Sequence, residues 1–283
     1  MESDLAPHFI FSSVEAVFAE VTRLKRQRGD DTLVFGHVTP ADFRDVEAER
    51  DRIDEHSRLF YQPAEECLII TVPTSPHEQM HLGLYQDIVL AMGQMGVGRE
   101  WAGTGATTMD PPNGSSGQAD SAGFPRSSRT SSGWPTLVIE AGFSQTLPSL
   151  RVKMRWWFSS SGHQVKVVII VKIELANERV RMEKWVEEIG RPGATSTRAA
   201  TRLGLVALQP VCQQAIEIDW TGPQRLQHTP TQARTAHQFR VTGGPLVIRF
   251  SEIFLRQPTG QEGDITITDS QLQDLAARFW QSV

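Results

Sequence analysis

The chain has 283 residues, 39% of them hydrophobic, and a net charge of −5. This is enough apolar material for one large domain, or for one domain with an appendage. No apolar run reaches the roughly 18 residues of a membrane span, and the acidic balance is not that of a dedicated DNA-binding protein.

The start, MESDLAPHF, has no basic region ahead of an apolar stretch, so no secretory leader is expected. The two cysteines, Cys67 and Cys212, read as small buried hydrophobes in a reducing, intracellular compartment. Charge is unevenly spread. Residues 1–66 hold fifteen acids against eight bases, whereas residues 141–173 hold five bases and no acid.

In chain order, residues 10–28 have the spacing of an amphipathic helix, with Phe11, Val14, Val17, Phe18, Val21 and Leu24 on one face and Ser12 or Ser13 as cap. Residues 40–60, dense in charge, read as a second, exposed helix. These place an acidic helical extension over residues 1–66, packed on a main α/β domain over 67–283. CLIITVPTS is a short strand ending at turn residues. Residues 75–96 form the next helix, with Ser75 as cap, Pro76 in the first turn and Glu78 closing a capping box. The composition of 110–133, rich in Pro, Gly and Ser, predicts a loop.

WPTLVIEAGFS and QVKVVIIVKIEL are strands of buried type. Between them, TLPSLRVKMRWWF predicts a helix capped by Thr146, with Leu147, Leu150, Met154, Trp157 and Phe158 on its apolar face. Strand, helix and strand make a βαβ unit with parallel strands. Adjacent Trp156 and Trp157 read as divided between the core and a neighbouring element. Further on, 178–189 looks helical, 190–203 is a basic linker, CQQAIEIDW is a strand, and 221–244 is a loop. PLVIRFSEIFL is a strand, and DSQLQDLAARFW is a helix capped by Asp269 or Ser270.

Glu140 ends an apolar strand, where a carboxylate is costly unless paired or metal-bound. Asp120 lies twenty residues upstream. Two carboxylates on neighbouring strand ends suit a hard divalent cation such as Mg²⁺ or Mn²⁺. Lys153 falls on the flank of the 146–158 helix stripe, from which its ammonium can return to the carboxylates to orient a water or stabilise a phosphate.

The order of these segments, WPTLVIEAGFSQTLPSLRVKMRWWF then QVKVVIIVKI, resembles a group of fungal proteins with a PD-(D/E)XK restriction-endonuclease-like core. The resemblance covers roughly residues 70–175. It implies an αβββαβ core, a mixed sheet flanked by helices, with the N-terminal helical extension and C-terminal strands and a helix added to it. It also implies that QADSAGFP, residues 118–125, is the acidic strand, with Asp120 and Glu140 as metal ligands, and that Glu78 or His77 on the 75–96 helix faces the site. Glu140-Ala141-Gly142 has glycine where the superfamily's lysine belongs. Branches of the superfamily carry that lysine on the following helix, and Lys153 would then take its place.

The function so implied is metal-dependent phosphodiester hydrolysis on nucleic acid, with Asp120, Glu140, Lys153 and Glu78 as catalytic residues. Arg151, Arg155, Lys166, Arg198 and Arg202 are the candidates for contacting phosphates. The missing lysine and the negative charge leave an alternative open, in which a catalytically degenerate core serves as a binding module or in small-molecule chemistry. A homo-oligomer is compatible with either. His77-Glu78-Gln79-Met80-His81 also reads H-E-x-x-H, the zinc-hydrolase motif, placed in a helix's first turn and without an evident third ligand.

Overall fold

The computed structural model describes residues 5–26, 31–105, 107–129, 133–190, 208–222 and 234–282. The chain opens with β1 (Phe9–Ile10), α1 (Val14–Arg26), β2 (Thr32–Gly36), α2 (Pro40–Arg52), β3 (Arg58–Gln62) and β4 (Cys67–Thr71). Helix α3 (Ser75–Gln94) leads to four short strands: β5 (Trp101–Gly103), β6 (Thr108–Met109), β7 (Ser116–Gln118) and β8 (Ser121–Pro125). Next come β9 (Leu137–Gly142), α4 (Leu147–Ser160), β10 (Val167–Glu174), β11 (Arg179–Ile189) and β12 (Leu208–Trp220). The C-terminal part holds β13 (Phe239–Thr242), β14 (Leu246–Ile248), α5 (Phe250–Phe254), β15 (Ile265–Ile267) and α6 (Asp269–Ser282).

Two mixed sheets carry the architecture. One runs β13-β12-β11-β10-β9-β8-β5, the other β1-β2-β4-β3-β7-β6, and β14 and β15 form a separate hairpin. In the first sheet β9 and β10 are parallel, with Leu137 opposite Val167 and Glu140 opposite Ile170, as a βαβ unit around α4 requires. The flanking β8/β9 and β10/β11 pairs are antiparallel.

Strand alternation sorts the core into layers. Leu137, Ile139 and Ala141 of β9 pack with Met80, Leu84 and Ile88 of α3 and with Leu272 and Leu275 of α6. Val138 faces the other way, with Leu150, Met154 and Trp157 of α4 and with Phe60 and Ile69 of the second sheet. The far side of that second sheet is covered by α1 and α2 through Val17, Val21, Phe43 and Val46. Helix α4 therefore lies between the two sheets, and the Glu140 side of β9 points into this interior. Among the described residues no helix is long and apolar enough to cross a membrane.

Several expected elements change. Residues 179–189 are a strand: RVRMEKWVEEI alternates, burying Val180, Met182 and Val186 and setting Arg179 against Asp219 and Arg181 against Glu217 across to β12. The loop expected over 110–133 contains β7 and β8. PLVIRFSEIFL divides into β14 and α5. Residues 1–66 are not purely helical, since β2 and β3 lie within them and pair with β4 beyond residue 66. The α3 cap is Thr74, not Ser75, and Glu78 turns away from a capping box toward Arg58 and His81. Thr268 takes the capping role expected of Asp269 or Ser270, accepting from Gln271 N. The α1 cap is Ser13 and the α4 cap Thr146, as expected. Residues 191–203 of the 190–203 linker and residues 223–233 of the 221–244 loop lie outside the described residues.

Cys67 is buried, but Cys212 is exposed on β12, contrary to the expectation for both. Burial pushes the Cys67 thiol up to about 11. A disulfide-exchange reagent at neutral pH should therefore modify one thiol quickly in the native chain and a second only after denaturation. Two fast thiols would refute the placement of Cys67.

Candidate functional site

Glu140 sits on β9 with its side chain toward α4. Thr146 caps that helix by accepting from Ser149 N, and the stripe Leu150, Met154, Trp157 packs into the interior. Lys153 lies on the same face, 2% exposed. Its Nζ meets Glu140 Oε2 at 3.0 Å, and Trp157 Nε1 donates to Glu140 Oε1 at 2.7 Å. Glu140 is 0% exposed, and both its oxygens are held. Burial pushes its carboxyl up, against the pull of Lys153. Burial lowers the affinity of Lys153 for its proton, but the Glu140 and Asp120 carboxylates outweigh this and hold it above its ordinary value.

Asp120 occupies the turn between β7 and β8 and is buried. Its Oδ2 accepts from Ala141 N at 2.7 Å, which ties it to the residue after Glu140. The other oxygen, Oδ1, faces Arg58 at 3.6 Å and His77 Nε2 at 3.2 Å. Burial would raise the Asp120 carboxyl, but the His77 and Lys153 charges outweigh it and hold the group well below the usual carboxylate range.

Helix α3 continues its buried stripe of Met80, Leu84, Ile88 and Met92 toward its N-terminus with His77 and His81, both 0% exposed. Each imidazole is oriented through Nδ1. That of His77 lies 2.9 Å from Asp31 Oδ2, and Asp31 is fixed in turn by Ser144 N and Oγ at 3.0 and 2.7 Å. That of His81 lies 2.9 Å from Ser121 Oγ. Both Nε2 atoms turn inward. His81 Nε2 is 3.2 Å from Glu78 Oε1, which also takes a bond from Arg58 at 2.7 Å. The 3.2 Å approaches are close enough for ion pairs but off-line for hydrogen bonds, so His77 Nε2, His81 Nε2 and Asp120 Oδ1 all remain without an aligned partner. Burial works against the charged form of His77, but Asp120 and Asp31 outweigh it and raise it to about 10. For Asp31, burial is outweighed by His77 and Ser144, which bring it to about 2.

His77, His81 and Asp120 form a group able to hold a metal ion, their ligand atoms lying within 4.8 Å of one another. The wetter side of the cluster is at Glu78, 29% exposed, and Arg58, 11% exposed. Arg58 lines a cavity of about 460 Å³ with Arg50, Asp51, Glu55, His56 and Gln118.

The residues expected from the sequence therefore divide. Asp120, Glu140 and Lys153 meet, and Glu78 lies at the edge of the same cluster. As a pair of metal ligands, however, Asp120 and Glu140 are matched poorly, because Asp120 has an open oxygen and Glu140 has none. The expected phosphate contacts do not gather at the site. Arg151 is held by both oxygens of Glu183, Lys166 donates to the carbonyl of His163, and Arg155 is exposed. Arg198 and Arg202 lie outside the described residues. Asp31, Arg58 and Trp157, not foreseen as site residues, complete the cluster. Asp31, just before β2, and Arg58, at the start of β3, are far off in sequence, and no local pattern marks them.

Chemically, the cluster can hold a divalent ion, a charged lysine and a partly accessible arginine next to one another in a largely dry interior. No known family and no curated protein matches this chain.

Proposed function

We propose that the chain carries a PD-(D/E)XK-type core and acts as a metal-dependent phosphodiesterase on nucleic acid. The observation that carries this reading is the convergence of Asp120, Glu140 and Lys153, twenty and thirteen residues apart, into one buried cluster. The frame around them supports it: a helix, three successive antiparallel strands β5, β8 and β9, a second helix, and β10 parallel to β9.

A divalent ion at this site would supply a Lewis acid and an activated water. Asp120 has an oxygen open to it. Glu140, with both oxygens held, does not complete a two-carboxylate Mg²⁺ or Mn²⁺ set. Its part is to fix the Lys153 ammonium where charge on a phosphate would develop. Arg58, bordering the cavity, is placed to receive the phosphate.

The test is cleavage of labelled single- and double-stranded DNA and RNA with Mg²⁺, Mn²⁺ or Zn²⁺. Wild-type protein is expected to cut at least one, and Asp120→Asn to lose about 100-fold or more, the scale on which an essential electrostatic group acts. Folded wild-type protein that cuts none of them with any ion would sink the reading. A second reading, a degenerate core kept for binding, is favoured by the closure of Glu140 under Lys153 and Trp157. It expects metal binding without cleavage.

A further inference from the structure

We propose that His77 Nε2, His81 Nε2 and Asp120 Oδ1 are the protein ligands of a divalent first-row transition ion, zinc in the first instance, with Glu78 beside its open side. The site stands on geometry independent of the hydrolytic reading.

Three observations carry it. Buried polar atoms are almost always paired, and leaving one unpaired costs about 1–3 kcal/mol. Here three such atoms lie side by side and face one another without aligning. An atom whose lone pair is aimed at a point between it and its neighbour looks just so. The 3.2 Å separation of His77 Nε2 from Asp120 Oδ1 is close to the edge of a tetrahedron about 3.3 Å long, given metal–ligand bonds of about 2.0–2.1 Å, and His81 lies within 4.8 Å of both.

The surroundings supply the second argument. A ligating histidine usually presents its other ring nitrogen to a carboxylate or another acceptor, which fixes the tautomer and raises its basicity. Asp31 does this for His77, and it is itself locked by Ser144. Ser121 Oγ meets Nδ1 of His81. A core histidine with only a structural role would need no such orientation of Nδ1 while Nε2 goes unsatisfied.

Charge balance is the third. Lys153 and Glu140 neutralise each other. Asp31, Asp120 and Glu78 then face Arg58 and the charged His77 ring, leaving one negative charge in a low-dielectric interior. A divalent ion that takes the place of the His77 proton balances the three carboxylates together with Arg58. The donor set also selects the ion: two imidazoles and one carboxylate suit zinc, iron or manganese better than Mg²⁺, which prefers oxygen.

The experiment starts from full-length protein stripped with a chelator. Calorimetry and metal analysis should find one equivalent of Zn²⁺ per chain, bound at least 100-fold more tightly than Mg²⁺. Asp31→Asn should weaken Zn²⁺ about 10- to 100-fold, as outer partners of ligating histidines do. His81→Ala should lose stoichiometric binding, and His37→Ala, at an exposed histidine, should not. Because the buried variants can fail to fold, wild-type protein is also titrated with Zn²⁺ while the imidazole ¹⁵N resonances are followed. The Nε2 signals of His77 and His81 should move together and saturate at one equivalent. Zn²⁺ well below one equivalent, Mg²⁺ binding as tightly as Zn²⁺, or a titration that leaves these two resonances in place would overturn the proposal. Zinc bound without nucleic-acid cleavage leaves the site standing and removes the hydrolytic reading. Mg²⁺-dependent cleavage without zinc binding does the reverse.

Discussion

Glu140→Ala is expected to lower the melting temperature by about 6–10 °C. Glu140 and Lys153 form a 3.0 Å pair with both partners at 2% exposure or less. Removing one partner of a buried pair leaves the other charge uncompensated, at a cost of about 3–5 kcal/mol. Each kcal/mol moves the midpoint by about 2 °C in a chain of this size. The loss has a second part, because Trp157 Nε1 forfeits its acceptor as well. Lys153→Met should cost less than Glu140→Ala, since the glutamate left behind keeps Trp157 as donor and can take up a proton, the direction in which burial already pushes it. Glu140→Leu with Lys153→Met should recover most of the stability, because an apolar pair of similar volume avoids desolvating two charges. Thermal melts of wild type, Glu140→Leu, Lys153→Met and the double variant give the coupling. A Glu140→Ala midpoint within 2 °C of wild type would show that water reaches the pair and that the cluster is more open than its burial implies.

This coupling limits how an activity assay on Glu140 variants is read. Loss of cleavage in Glu140→Ala would reflect unfolding as well as chemistry. Asp120→Asn is the cleaner probe of chemistry, because the amide oxygen can still accept from Ala141 N.

How much could be read from the residues alone depends on the kind of signal each segment carries. β9, α4 and β10 were legible because their apolar runs and the Thr146–Pro148 start are local patterns. Residues 179–189 were not: the segment, with six acids and bases in eleven positions, looked helical, yet the period is two and Arg179 and Arg181 pair across to β12. β7 and β8 hid behind their composition for a packing reason. A side chain at Gly117 would lie 2.6 Å from the Trp156 ring, and one at Gly123 2.5 Å from Trp101 Nε1. These strands carry glycine because indoles lie on them, and glycine in such a run reads as loop. At the site, Glu140 and Lys153 were legible as a spacing. The grouping of His77 and His81 was visible only as a motif lacking a third candidate ligand. The third member of that group, Asp120, was already in view but paired with Glu140, since nothing in the sequence says which way a carboxylate between two strands will face.

Gly142→Lys, which would complete the (D/E)-x-K string of the proposed core, is expected to destabilise the protein by at least 3 kcal/mol (an order-of-magnitude figure, roughly the sum of overpacking and of burying a charge) and to add no activity. Gly142 lies two residues beyond Glu140, on the same face of β9, so a lysine there would point to the same side as Glu140. That face is already filled by the start of α4. A Cβ at 142 would stand 2.8 Å from Leu150 Cδ1 and 3.1 Å from the Gln145 carbonyl oxygen. Leu150 is fully buried and cannot swing into solvent, and the Gln145 contact is backbone. The four-residue turn from β9 into α4 therefore excludes any side chain at 142, and a lysine for this cluster has to come from the helix. Lys153, a little over one turn past Ser149, is the position that reaches Glu140. Gly142→Ala calibrates the steric part and should cost about 1–3 kcal/mol. The decisive protein is Gly142→Lys combined with Lys153→Met. If lysine 153 occupies the only route into the cluster, this double variant melts below either single variant and cuts no better than Lys153→Met. A stable double variant that cuts like wild type would mean that α4 yields at its first turn and that the lysine's position on the helix is incidental.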